Sequence, residues 1–146
     1  MKTLTIRDPW AQAIAQGVKR IETRSWRASY RGPLAIHAAK RLDRHDVLSS
    51  RHVPGDWPRG AVIAVCDLVD CARIVVYHLE LPYEAGQPFV LDTHHRVTVG
   101  TEPLTDEVEL DWGHYATGRW AWKLENVRRI EPVYVKGMLG LWEWTP

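Results

Sequence analysis

The chain has 146 residues, a net charge of +1 and 45% hydrophobic residues. That length accommodates one domain, 1–146, with a real core, and a charge so close to zero argues against a general polyanion binder. No apolar run approaches the ~20 residues of a membrane-spanning helix, and Met1-Lys2-Thr3-Leu4 enters a strand-like pattern without a signal-peptide core, so a reduced, cytoplasmic protein is expected.

Thr3–Arg7 alternates weakly and reads as a short strand. Asp8 then caps a short helix, with Pro9 in its first turn, where the missing N–H costs nothing. Trp10, Ala13 and Ile14 fall at i, i+3 and i+4 and give this helix one apolar face, and Gly17 supplies a left-handed stop. At barely two turns it must be held by packing rather than by propensity. Arg20–Trp26 alternates as a strand, with Arg20, Glu22, Arg24 and Trp26 on one face and Ile21, Thr23 and Ser25 on the other. Tyr30-Arg31-Gly32-Pro33 reads as a turn before the strand Leu34–Ala39.

Arg41–Arg51 reads as a polar helix and Pro54-Gly55-Asp56-Trp57-Pro58 as a loop. Ala61–Val69 is apolar apart from Asp67, the pattern of a strand buried on both faces. Cys66 and Cys71 stand five apart in what reads as one strand, so they should face opposite sides and not pair. Residues 75–115 form an acidic excursion dotted with proline and glycine, in which one or two short strands are expected. Trp120–Val127, Pro132–Val135 and Leu139–Trp144 return to strand patterns. The sum is an α+β, mainly β domain: a small barrel of five to seven strands with one or two short helices and no βαβ rhythm.

Charge is unevenly spread. Residues 1–60 hold 12 Lys/Arg against 5 Asp/Glu, residues 61–115 hold 2 against 10, and residues 116–146 hold 5 against 3. Such asymmetry fits a one-sided basic surface for a phosphate-bearing ligand, and it equally fits two blocks that neutralise each other on folding. Eight tryptophans accompany a single phenylalanine. Most should be core, with one or two left at a pocket rim as stacking platforms.

The segment from Lys19 to Trp26 carries the chemistry. Lys19 follows the helix stop, where the last carbonyls of the helix should help hold its ammonium. Glu22, Arg24 and Trp26 then point one way. Such a set lines a pocket in which a carboxylate accepts from a base amino group while cations hold phosphate, and the same pattern also describes a solvated strand face with cross-pairing. The histidines and cysteines match no metal-ligand spacing, and no phosphate-loop, dinucleotide or serine-hydrolase motif is present, so no metal or cofactor is expected.

Pro9-Trp10-Ala11, Gly17-x-Lys19-x-x-Glu22-x-Arg24-x-Trp26, Arg31-Gly32-x-Leu34-x-Ile36-His37-Ala38, Gly118-Arg119-Trp120-Ala121-Trp122-x-Leu124 and Gly137-x-x-Gly140-Leu141-Trp142 together resemble the ASCH domain pattern. One departure is Asp8, where the family commonly has Gln. The resemblance implies a PUA-like β-barrel with a cleft floored by the Lys19–Glu22 segment, Arg24, Trp26, Arg31 and His37. It implies binding of single-stranded RNA or other nucleic acid, with Lys19 and Glu22 as the catalytic candidates and Arg24, Trp26, Arg31, His37 and Trp10 as nucleic-acid contacts. Glu22 or His37, Tyr30 and Lys19 would serve a ribonuclease. Smaller relatives hydrolyse acetylated cytidine with a lysine at the position similar to Lys19, a threonine at that similar to Glu22, and a later glutamate. Here Asp67 is the only stand-in for that glutamate. A non-catalytic interaction module is the third reading.

Overall fold

The computed structural model describes residues 1–41, 57–78 and 95–146. In chain order these form β1 (Lys2–Ile6), α1 (Trp10–Ala15), β2 (Ile21–Arg24), β3 (Gly32–Ala38), β4 (Ala61–His78), β5 (His95–Val99), β6 (Glu102–Leu104), α2 (Glu107–Trp112), β7 (Trp120–Tyr134) and β8 (Leu141–Glu143). The helix expected over Arg41–Arg51 and the start of the loop after it lie outside the described residues.

The apolar run at Ala61 becomes the central strand, twice as long as expected. Along its length β4 pairs with β7; its first half also pairs with β3 and its last residues with β5. The sheet runs β2-β7-β4-β3-β1-β8, with β5 and β6 branching from β4 and only β1 and β3 parallel. The result is an α+β, mainly β fold with eight strands in a mixed sheet. Among the described residues the hydrogen-bonded path runs from β2 to β8 with no ladder joining those two strands, and eight strands stand where a barrel of five to seven was expected. The one or two short strands expected in the acidic excursion are two, β5 and β6, which form a hairpin.

The two strands expected at Trp120 and Pro132 are one. Pro132 falls where the β4–β7 register shifts between Val62 and Ala64, so its missing N–H interrupts no ladder pair. Register shifts also undo the expectation for the cysteines. Both are free, but both are buried in the same core, because the shift between Leu68 and Asp70 resets the alternation. Burial pushes the Cys66 thiol up to about 12, with Asp67 adding to the effect.

The main core joins α1 to the sheet through Ile14, Leu34, Ile36, Leu68, Leu124 and Trp122. Helix α1 is too short to stand alone, and Ala11 through Ala15 are all buried. Its start differs from expectation: Pro9 takes the N-cap position without a side-chain cap. The Asp8 carboxylate instead accepts from Gln12 Nε2 at 3.0 Å, and burial raises its pKa. Gly17 does adopt the left-handed conformation, φ 76°. A second core on the opposite sheet face gathers Ala35, Val62, Trp142 and Trp144.

His37 belongs beside this second core. It alternates away from Leu34 and Ile36 as expected, packs edge-on against Trp142 at 5.7 Å, and pairs through Nε2 with the Val135 carbonyl at 3.0 Å. A Cβ at Gly137 would come within 2.5 Å of His37 Cε1 and 2.9 Å of Thr5 Oγ1, so glycine is required there by close approach. Gly137→Ala should therefore destabilise the fold by about 1–3 kcal/mol, read by urea unfolding; wild-type stability would show that the His37 ring has room to retreat. Burial also lowers the imidazole pKa below its ordinary 6.5. Above that value the ring is neutral folded and unfolded; on acidification the unfolded chain takes the proton first, so stability falls. Unfolding free energies measured from pH 7 downward should show this loss, and the slope should be shallower in His37→Asn.

Candidate functional site

The turn at Gly17 brings the chain out of α1 and into β2, and Lys19 is swallowed in the process. Its side chain is 1% exposed, the Nζ donates to the Ile21 carbonyl, and the Glu22 carboxylate lies 4.0 Å away. The Ala13 carbonyl of the helix accepts from the Lys19 backbone N–H at 3.1 Å. Glu22 is itself buried and has a second cation, Arg24, whose Nε stands 3.1 Å from Oε1. That pair is ionic without hydrogen-bond alignment, since Arg24 Nε has no hydrogen-bond partner. The Arg24 Nη2 donates to the Thr5 carbonyl at 3.0 Å and ties β2 to β1.

Strand β2 ends at Arg24, so Trp26 reaches the site through a bend rather than by alternation. Its ring meets Trp122 edge-on, centroids 4.6 Å apart, while the Trp122 indole N–H donates to the Trp26 carbonyl at 3.4 Å. Trp26 stays 36% exposed. An indole braced by a second ring and partly exposed is suited to stacking a planar ligand.

These groups share one cleft of about 650 Å³. Lys19, Glu22, Arg24, Trp26 and Trp10 all line it, joined by Arg7, Arg41, Trp112, His114 and Arg119. Arg31 and His37 do not. The Arg31 guanidinium is held by the carbonyls of Ala28 (2.9 Å) and Tyr30 (2.8 Å) and lies 3.5 Å from Asp70, on the β4 side of its loop. His37 is buried beside Trp142, as described above. Tyr30 donates to the Pro33 carbonyl at 2.6 Å, and Asp67 accepts from Asn126 at 2.8 Å; neither lines the cleft.

The contribution of the acidic excursion was not legible in the sequence. Helix α2, capped by Asp106 on the N–H groups of Val108 and Glu109, delivers the buried Glu109. That carboxylate accepts from the backbone N–H of Arg20 and, at 3.3 Å, of Ile21, so it orders the start of β2. Burial raises its pKa against the opposing influence of these hydrogen bonds and of Lys19. Tyr115 shows the same pressure: burial and the neighbouring carboxylates push its hydroxyl up. Arg119 completes the wall, donating to the His114 carbonyl and the Thr23 carbonyl, each at 3.1 Å. Arg119 had one available signal, its place in the Gly118–Leu124 motif. Among the described residues no cluster of three or more His, Cys, Asp or Glu is arranged to hold a metal ion.

Residues 4–134 match the ASCH domain. The chain belongs to that family. Activating signal cointegrator 1 of Homo sapiens is 33% identical over 102 residues, covering 60% of this chain, and its Mus musculus counterpart is 36% identical over 91 residues, covering 54%. The matched regions make up 18% and 16% of those proteins, so this ASCH domain corresponds to a small part of each. Crystal structures of ASCH from Zymomonas mobilis and of a mutant of it align with 90% of this chain and 71% and 73% of theirs, at 17% and 18% identity and a TM-score of 0.43.

The clamp predicts its own test. Glu109→Ala removes the acceptor for two backbone donors and should cost about 1–3 kcal/mol, read by chemical denaturation, with Glu109→Gln, which keeps one carbonyl oxygen, falling between. Equal stability of all three proteins would show that water replaces the carboxylate.

Proposed function

We propose that this ASCH domain binds single-stranded RNA in the cleft between α1, β2 and the 112–119 segment. The supporting observation is a convergence: five Lys/Arg side chains (Arg7, Lys19, Arg24, Arg41, Arg119) and three indoles (Trp10, Trp26, Trp112) line one cleft, with Glu22 the single carboxylate among the described residues lining it. Arginines at the rim meet phosphates, and Trp26 stacks a base. Unstacked bases on aromatic faces are how proteins commonly read single-stranded RNA. Glu22, oriented by Lys19 and Arg24, is an acceptor for a base amino group.

Binding is better supported than cleavage. A ribonuclease needs a base for the 2′-hydroxyl, an acid for the leaving oxygen and a cation for the phosphorane. Of the candidates drawn from the sequence, His37 and Tyr30 lie elsewhere, which leaves Glu22 and Lys19. The ammonium of Lys19 is engaged by the Ile21 carbonyl and faces Glu22, an arrangement that favours a fixed charge over a nucleophile.

A few phosphate contacts with one or two stacks give affinity on the order of micromolar. In fluorescence anisotropy with a short labelled single-stranded RNA, Trp26→Ala should weaken binding by about 1–3 kcal/mol. Arg24→Ala should flatten the plot of log affinity against log salt by about 0.7. Salt-indifferent binding, or none, would overturn the reading. After prolonged incubation both the RNA and acetylated cytidine should remain intact; release of fragments or of acetate would make the domain a hydrolase instead.

A further inference from the structure

A second cleft of about 640 Å³ opens where β3 ends, β4 begins and β7 finishes, lined by Lys40, Trp57, Pro58, Arg59, Pro132 and Tyr134. Its described lining contains two cations, two aromatic rings and no carboxylate. Tyr134 is 73% exposed, and the Arg129 guanidinium sits 4.6 Å above the Trp57 ring. The frame is ordered: the Gly60 N–H donates to Ala38 O at 2.8 Å, the Val135 N–H to Gly60 O at 3.1 Å, and Gln12 Nε2 to Pro58 O at 3.3 Å. An exposed tyrosine and a half-buried tryptophan beside cations, without acidic neighbours in the described lining, are the chemistry of a phosphate-and-base surface rather than of an apolar docking groove.

Its position relative to the first cleft is the deciding point. Ala39 and Arg41 line the first cleft, whereas Lys40 between them lines the second. One three-residue segment is therefore the wall between two cationic, aromatic hollows, and alternation of its side chains serves both.

We propose that the Lys40–Arg59–Tyr134 cleft is a second subsite for the same single-stranded RNA, taking the nucleotides that pass over the 39–41 wall. This rests on the RNA-binding reading of the first cleft. Lys40 and Arg59 meet phosphates, and Tyr134 stacks a base.

Single-strand binders cover about 4 to 16 nucleotides per fold, so RNAs of about 4 and about 12 nucleotides separate one cleft from two. The wild type should bind the longer RNA at least about tenfold more tightly, one added stack contributing roughly that factor. The double variant Lys40→Ala/Tyr134→Ala should lose that gain, keep its affinity for the short RNA, and flatten the salt dependence for the long one by about 0.7. Arg59 is left in place because its charge also acts on the buried Asp8 carboxylate. Thermal melts of the variant confirm that it is folded. A double variant that keeps the length-dependent gain overturns the second subsite while Arg24-dependent binding of the short RNA leaves the first reading intact. Conversely, a short RNA indifferent to Arg24→Ala, with a long RNA that still depends on Lys40 and Tyr134, overturns the first reading and makes the Lys40–Arg59–Tyr134 cleft an RNA site in its own right rather than a second subsite. No binding of either RNA overturns both.

Discussion

A buried ammonium dictates the arrangement of the site. Moving Lys19 out of water costs several kcal/mol unless oxygen atoms surround it. The Ile21 carbonyl and the Glu22 carboxylate supply that surrounding, and the Glu109 carboxylate acts on the same charge from α2. Glu109 in turn accepts from the backbone of Arg20 and Ile21. Three stretches far apart in sequence, the exit of α1, strand β2 and helix α2, are thus locked by mutual need: displacing any one leaves a buried charge without its counterpart.

That lock matters because β2 is weakly held otherwise. It has four residues and lies at one end of the sheet path, paired among the described residues with β7 alone. The long β4–β7 ladder and the three cores carry the stability of the domain. They do not by themselves aim Arg24 or Trp26. Placement comes from the Arg24–Thr5 contact, from the edge of Trp122 beneath Trp26, and from Arg119 on the Thr23 carbonyl. Sheet and site divide the work, one supplying rigidity and the other fixing side chains on it.

Features governed by near neighbours were legible in the sequence. The stop at Gly17, the central apolar strand at Ala61 and the clustering of Lys19, Glu22 and Arg24 all follow from spacing or turn chemistry within a few residues, whereas Trp26 joins them through a bend. Of the eight tryptophans, most of which were expected in the core, Trp122, Trp142 and Trp144 are buried, while Trp10 and Trp120 are partly buried against it. What was hidden depends on distant partners. Glu109 acts on residues 88 and 89 positions away, which no local pattern announces. Arg31 and His37 sit in motif positions, yet nearby carbonyls and Trp142 hold them outside the cleft. Cys66 and Cys71 share a core because bulges shift the alternation by a residue, and bulges leave little trace in composition.

The uneven charge of the chain admits both interpretations at once. Arg31 with Asp70 and Arg20 with Asp106 join the basic first block to the acidic second, so part of the asymmetry is cancelled on folding. The acidic block also supplies Glu109, which orders the very segment that carries Lys19. Arg7, Arg24, Arg41 and Arg119 stand around one cleft, and Lys40 and Arg59 line the second. At physiological salt such a field is screened within about 8 Å. On the proposed reading, a single strand that enters these clefts meets cations and aromatic rings together. On that reading, selectivity for single strands over duplexes would follow from access, with no need for a large net charge.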